Sequence, residues 1–203
     1  MTNKLTSFES KPFLVCIISI ATAILGCTNS PALDRDTAKA MIEKSGFKSQ
    51  EEMGVIYYGT IRSEQRQIEP CKVYTDQLVK LGMATVAMAE TTRHAGIDGT
   101  VRVIEYNVEP TSALNKLLMV VEIYKTGASK AEVVAWKSKL GNVSGIAFTN
   151  PEKSSALVEY EVTFEGSPLS GINGCHASVP KPPSSKIQRA AFRLYDDGWR
   201  IVN

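Results

Sequence analysis

The stretch "ALVEYEVTFEG", residues 156 to 166, alternates apolar and polar side chains more cleanly than any other part of the chain. Val158, Tyr160, Val162 and Phe164 would point one way, and Glu159, Glu161 and Thr163 the other. A period of two is that of a β-strand with one dry and one wet face, the mark of an antiparallel sheet. The C-terminal half repeats the theme. "LLMVVEIYKT" and "AEVVAWK" are rich in β-formers, and "KIQRAAFRLY" sets Ala190, Phe192 and Leu194 on one face. Asp197-Gly198 then reads as the positive-φ pair of a type I′ turn into "WRIV", which predicts a C-terminal hairpin with Trp199 packed. The Gly-, Ser- and Pro-rich run from 166 to 185 predicts a long loop.

The preceding part is mixed. "ALDRDTAKAMIEKSGF" predicts a helix, with Asp34 or Asp36 as N-cap, Ala38, Met41 and Ile42 at helical spacing, and Gly46 at the stop. "GVIYYGTI" predicts a strand. "EPCKVYTDQLVKLGM" predicts a second helix with Pro70 in its first turn, Tyr74, Leu78 and Leu81 along one face, and Gly82 after its end. "ATVAMAE" and "TVRVIEYNV" predict two strands joined by "TTRHAGIDG", with Asp98-Gly99 as the turn signal. The expected fold class is α+β: an N-terminal helical segment over residues 33–108 packed beside an antiparallel β-rich segment over 109–203. The order helix, strand, helix, hairpin in 33–108 resembles a winged-helix module in topology, with the hairpin as wing.

The N-terminus differs from everything that follows. Lys4 and Lys11 outweigh Glu9, and Pro12 to Leu25 contain no charge. This run is too short for a spanning helix, which needs roughly 20 apolar residues, and it matches the apolar core of a secretory signal peptide. A buried amphipathic helix would keep its apolar residues on one stripe, whereas this run is apolar all round. It closes on Ile24-Leu25-Gly26-Cys27. That tetrapeptide resembles the lipobox of bacterial lipoprotein precursors, with Ile24 where Leu is commoner. The resemblance implies that residues 1–26 are a signal peptide removed on export. It implies that Cys27 becomes the acylated first residue of the mature chain, its thiol carrying a diacylglyceryl group. Residues 27–32 would be a short tether, with Pro31 discouraging helix. Two or three acyl chains at one residue give a stable anchor where a single chain does not. Thr28 stands where an Asp would signal inner-membrane retention, so the implied location in a two-membrane organism is the outer membrane, facing the periplasm or exterior.

Four cysteines are present. With Cys16 in the leader and Cys27 given to lipid, Cys71 and Cys175 remain. An exported chain meets an oxidising compartment, where such a pair is a disulfide candidate; two separate thiols are the alternative. A bridge would set the Cα atoms about 4.4–6.8 Å apart.

The chemical candidates are thin. His176 follows Cys175, but adjacent residues seldom form a nucleophile–base pair. Cys71, Cys175 and His176 could hold zinc only by converging as reduced ligands. His94 falls in the loop between the wing strands. Glu51-Glu52 resembles a solvated loop, Glu159 and Glu161 share a wet face, and Asp196-Asp197 belongs to a turn. GxSxG, HExxH and phosphate-loop patterns do not occur. Trp136, Trp199 and Tyr57-Tyr58 fit packing better than a binding hot spot. With 23 Lys and Arg against 21 Asp and Glu, the charge balance offers no attraction to nucleic acid. The expectation is a non-enzymatic envelope lipoprotein, a binding or structural module without cofactor or metal. Its partners would be the membrane, through Cys27, and an envelope protein. The alternative is an envelope hydrolase with an unrecognised site.

Overall fold

The computed structural model describes residues 32–95 and 99–202. The expected signal peptide, Cys27 and Asp98, expected as a turn residue, lie outside the described residues. The first helix, α1 (Arg35–Lys44), starts where Asp34 accepts the Thr37 amide at 2.7 Å. That bond satisfies one of the free amides of the first turn, and it holds the Asp34 carboxyl below its ordinary value. Strand β1 (Glu51–Glu64) follows, then α2 (Ile68–Lys80), with Gly82 at φ +68° just past its end. Cys71, Tyr74 and Leu78 form the buried stripe of α2. Leu81, expected on that stripe, is the C-cap and is exposed.

Strands β2 (Ala84–Ala95) and β3 (Gly99–Pro110) make a long hairpin, in which Thr91–His94 are strand rather than loop. A turn of helix, α3 (Ser112–Asn115), follows, and of the segment 117–126 expected as one strand only three residues, β4 (Val121–Ile123), are strand. Strand β5 (Ala128–Phe148) runs for 21 residues and β6 (Ser155–Gly166) returns beside it. Within the Gly- and Pro-rich stretch lie two short strands, β7 (Asn173–Gly174) and β8 (Ala177–Ser178). Strands β9 (Lys186–Tyr195) and β10 (Gly198–Val202) form the C-terminal hairpin. The expected type I′ turn is corrected. The register pairs Tyr195 with Gly198, so the turn centres on Asp196–Asp197, and of these residues only Gly198 has positive φ.

The class is α+β. One antiparallel sheet carries the strands in the order β10-β9-β6-β5-β1-β3-β2. It is continuous across residues 33–108 and 109–203, because β1 pairs with β3 on one edge and with β5 on the other. Two irregularities let these long strands serve the core. Ile56 and Ile61 are both buried in one cluster although their odd spacing would put them on opposite faces of a regular strand. Gly59 between them, at φ +79°, resets the alternation. A Cβ there would stand 2.3 Å from the Gly127 carbonyl oxygen, so glycine is required sterically as well. In β5 the register shifts between Leu140 and Val143 and again before Gly145.

The shifts divide β5 between two cores. Ala131, Val133 and Ala135 pack with α2, Ile56, Tyr106 and Leu169. Val143 packs with Leu33, Ala38 and Ile42 around α1, and with Val158, Phe192 and Trp199. Thus α1 covers the C-terminal strands and α2 the N-terminal ones.

Candidate functional site

Cys71 and Cys175, the pair expected to bridge, form a disulfide. Cys71, in the first turn of α2, is bonded to Cys175 with the Cα atoms 4.3 Å apart, just below the expected range. Both residues are buried. Asn173 pairs with Ser178 and Gly174 with Ala177, so Cys175 and His176 are the two central residues of a tight hairpin, at φ +50° and +69°. Those signs belong to a type I′ turn, in which Asn-Gly is the usual choice. Non-glycine residues pay a steric penalty there, and the bridge to α2 holds the hairpin in place. Gly174 permits the approach: a Cβ on it would lie 2.5 Å from the Pro70 carbonyl oxygen.

Three residues after Cys71, Tyr74 closes a gap in the sheet. The β1 edge that meets β8 at Val55 meets β3 again only from Gly59. Tyr57, midway, has no strand opposite it on that edge. The Tyr74 hydroxyl takes the place of a strand, accepting the Tyr57 amide at 2.9 Å and donating to the Tyr57 carbonyl. Burial pushes the Tyr74 phenol well above its ordinary value, so it stays protonated and able to donate. Tyr74→Phe should leave both backbone groups unpaired and lower stability by about 1–3 kcal/mol. Chemical denaturation measures it, and an unchanged midpoint would show that the hydroxyl is dispensable.

The remaining candidates are scattered. His176 is exposed, with the Tyr57 ring edge-on to it at 6.2 Å. With Cys175 oxidised there is no thiolate beside it, and the same bond removes both sulfurs from any zinc set. Among the described residues, no group of three or more His, Cys, Asp or Glu could hold a metal. His94 lies on β2, exposed, opposite Thr100. The paired carboxylates separate into surface ion pairs: Glu51 with Lys137, Glu159 with Arg189, Asp197 with Arg200. Trp136 packs edge-on against Phe164 at 5.1 Å, and Trp199 is buried.

Sequence reasoning missed a cleft of about 430 Å³ between the end of α1 and the strands β6, β9 and β10. Ile42, Phe47 and Val162 give it apolar surface, and Lys48 and Arg189 stand among its lining. The Tyr160 hydroxyl donates to Gln188 Oε1 at 2.9 Å. Ser138 fixes the connection from α1 to β1, its Oγ accepting the Gln50 amide and its carbonyl accepting the Ser49 hydroxyl. The lining contains no His, Cys, Asp or Glu. Such a cleft can hold a ligand by shape and hydrogen bonds, but it presents no carboxylate or imidazole for proton transfer. Its residues come from five separate stretches of chain, and no local pattern announces it.

No family model, no curated protein and no solved structure matches this chain.

Proposed function

We propose that the chain is the precursor of a bacterial envelope lipoprotein, anchored by acyl chains on Cys27, whose exported part is a non-enzymatic binding or structural module. The observation that carries this reading is the ILGC tetrapeptide closing an uncharged apolar run behind a basic leader. The Cys71–Cys175 disulfide supports it, since such bonds persist in oxidising compartments and are rare in the cytosol. Among the described residues no helix is long and apolar enough to cross a membrane, so a helical anchor would have to come from elsewhere in the chain. The cleft beside α1 is the concave surface we assign to ligand binding. The winged-helix likeness of residues 33–108 enters as scaffold only. The near-even charge gives no pull toward nucleic acid, and an exported domain does not meet the chromosome.

Cys27→Ser is the direct test. The variant should lose acyl label and leave the detergent phase on phase separation, remaining uncleaved or soluble. A variant that partitions as the wild type does, with label retained, refutes the anchor.

A further inference from the structure

Strand β2 ends the sheet on one side, and among the described residues no strand pairs with its outer edge. Which of its backbone groups are bare follows from the register. The Thr111 amide donates to the Met83 carbonyl, and pairing then runs unbroken from Ala84↔Pro110 to Ala95↔Gly99. Hydrogen-bonded pairs alternate along an antiparallel ladder. The odd-numbered residues of β2 therefore turn their backbone groups to β3, while Ala84, Val86, Met88, Glu90, Thr92 and His94 turn theirs to the open edge. Natural edge strands are blunted by Lys, Pro, a bulge or shortness. Strand β2 has 12 residues, an unshifted register, and neither Lys nor Pro. Its charged side chains are held within their own sheet: Arg102 forks onto Glu90 at 2.6 and 2.9 Å, and Arg93 lies 3.5 Å from Glu64.

We propose that β2 pairs with β2 of a second copy of this chain, antiparallel about a twofold axis at Ala89, so that two sheets join into one. The register selects this occupant. Two copies can pair only where outward-turned residues stand opposite one another. An axis at Ala89 uses all of them: Ala84 faces His94, Val86 faces Thr92, and Met88 faces Glu90, each pair occurring on both sides of the axis. An axis at Glu90 would set two carboxylates directly opposite each other, and one at Met88 would leave His94 bare.

The side chains agree with that axis. Ala89 would form a non-hydrogen-bonded pair with its counterpart, where antiparallel strands come closest, at about 4.5 Å between Cα atoms. A small residue suits that position. Met88, 64 % exposed in the single chain, would lie diagonal to the second Met88 and within its reach. The two Glu90 carboxylates take the other diagonal, the one like-charge approach among β2 side chains, and each is already held by its own Arg102. Pairing with β10, at the other end of the sheet, fits worse. That strand has 5 residues, and a β2–β10 contact would propagate from copy to copy instead of closing. The β2 pairing draws on nothing at Cys27, so it stands apart from the lipoprotein reading. The area it covers is small against the roughly 1,200–2,000 Å² of a standard interface, so the dimer is weak and reversible.

The test uses the full chain purified in mild detergent. Ala89→Cys and Thr91→Cys each place a thiol at an exposed position of β2. Mild oxidation should join two copies through residue 89, identified by the mass of the linked peptide. Its yield should exceed several-fold that through residue 91, which the register sets about 14 Å from its counterpart. Ala89→Lys brings two ammonium groups together on the axis. It should weaken self-association, read by sedimentation over a range of concentrations, at least ten-fold while the denaturation midpoint stays at the wild-type value. A wild-type chain that stays monomeric at every concentration, with no link through residue 89, overturns the proposal. So does equal linking at 89 and 91, which would mean chance collision or another register. Oxidation in intact cells that joins residue 89 to a different protein also overturns it, since a foreign strand would then hold the edge.

Discussion

Replacing both Cys71 and Cys175 by Ser should destabilise the folded part by about 2–5 kcal/mol, a large share of the roughly 5–15 kcal/mol that holds a domain folded. The bridge joins residues 104 apart. For a closed loop of about 100 residues the chain-entropy estimate is about 4.7 kcal/mol, exerted on the unfolded state. A second contribution is local to the native state. The β7–β8 hairpin turns through Cys175 and His176 at positive φ, and it meets β1 only at Val55. It also carries Ile172, Ala177 and Val179 into the core around α2. Without the bond, little holds that turn against its strain, so residues 166–180 should open before the rest. The expected result is a lower denaturation midpoint, together with faster amide exchange in 166–180 than in β5 or β6. A midpoint equal to the oxidised wild type would mean that the bridge only decorates a turn held by other contacts.

What the residues disclose depends on whether local pattern and long-range packing agree. Strand β6 is legible because its alternation reflects burial on one side, with Ala156, Val158 and Val162 buried. Helix α1 is legible from Asp34 and Gly46, which act within a turn of chain. The second half of β5 is not: Gly141, Asn142 and Gly145 argue against a strand, and only pairing with β6 makes one. Thr91–His94 are exposed and have no apolar face to advertise, yet β3 extends them as strand. The Cys175–His176 turn carries no turn signal, because a covalent bond 104 residues back supplies what Asn-Gly would have supplied. At the C-terminus the Asp-Gly signal is real but one position late, since the hairpin register leaves Gly198 beside Tyr195. The cysteine pair could be reached because eliminating Cys16 and Cys27 left only two. The cleft could not, since its walls meet only in the folded chain.

Trp199→Ala should cost about 3–5 kcal/mol, the range for removing a large aromatic side chain from a core. The cluster it belongs to is small. Its buried members among the described residues are Leu33, Ala38, Ile42, Val143, Ala156, Val158, Phe192 and Trp199, so only two of them are aromatic. The indole lies 6.1 Å from the Phe148 ring at a tilt, and Trp199 pairs with Leu194 across the hairpin. Removing it opens a void beneath α1, where Ala38 and Ile42, with Leu33 just before the helix, have no other core to join. Deleting residues 196–203 goes further, because it strips β10 from Ala191–Tyr195 and leaves β9 as a bare edge. Arg200→Ala separates packing from mere presence of the strand. Arg200 is exposed, and its ion pair with Asp197 is at the surface, so this change should shift stability by about 0.5 kcal/mol or less. Denaturation midpoints of the three variants should fall in the order Arg200→Ala, Trp199→Ala, truncation, with the truncated chain degraded in cells. A truncated chain that melts with the wild type would mean that α1 and β9 close this core without β10, and that Trp199 packs there without being needed.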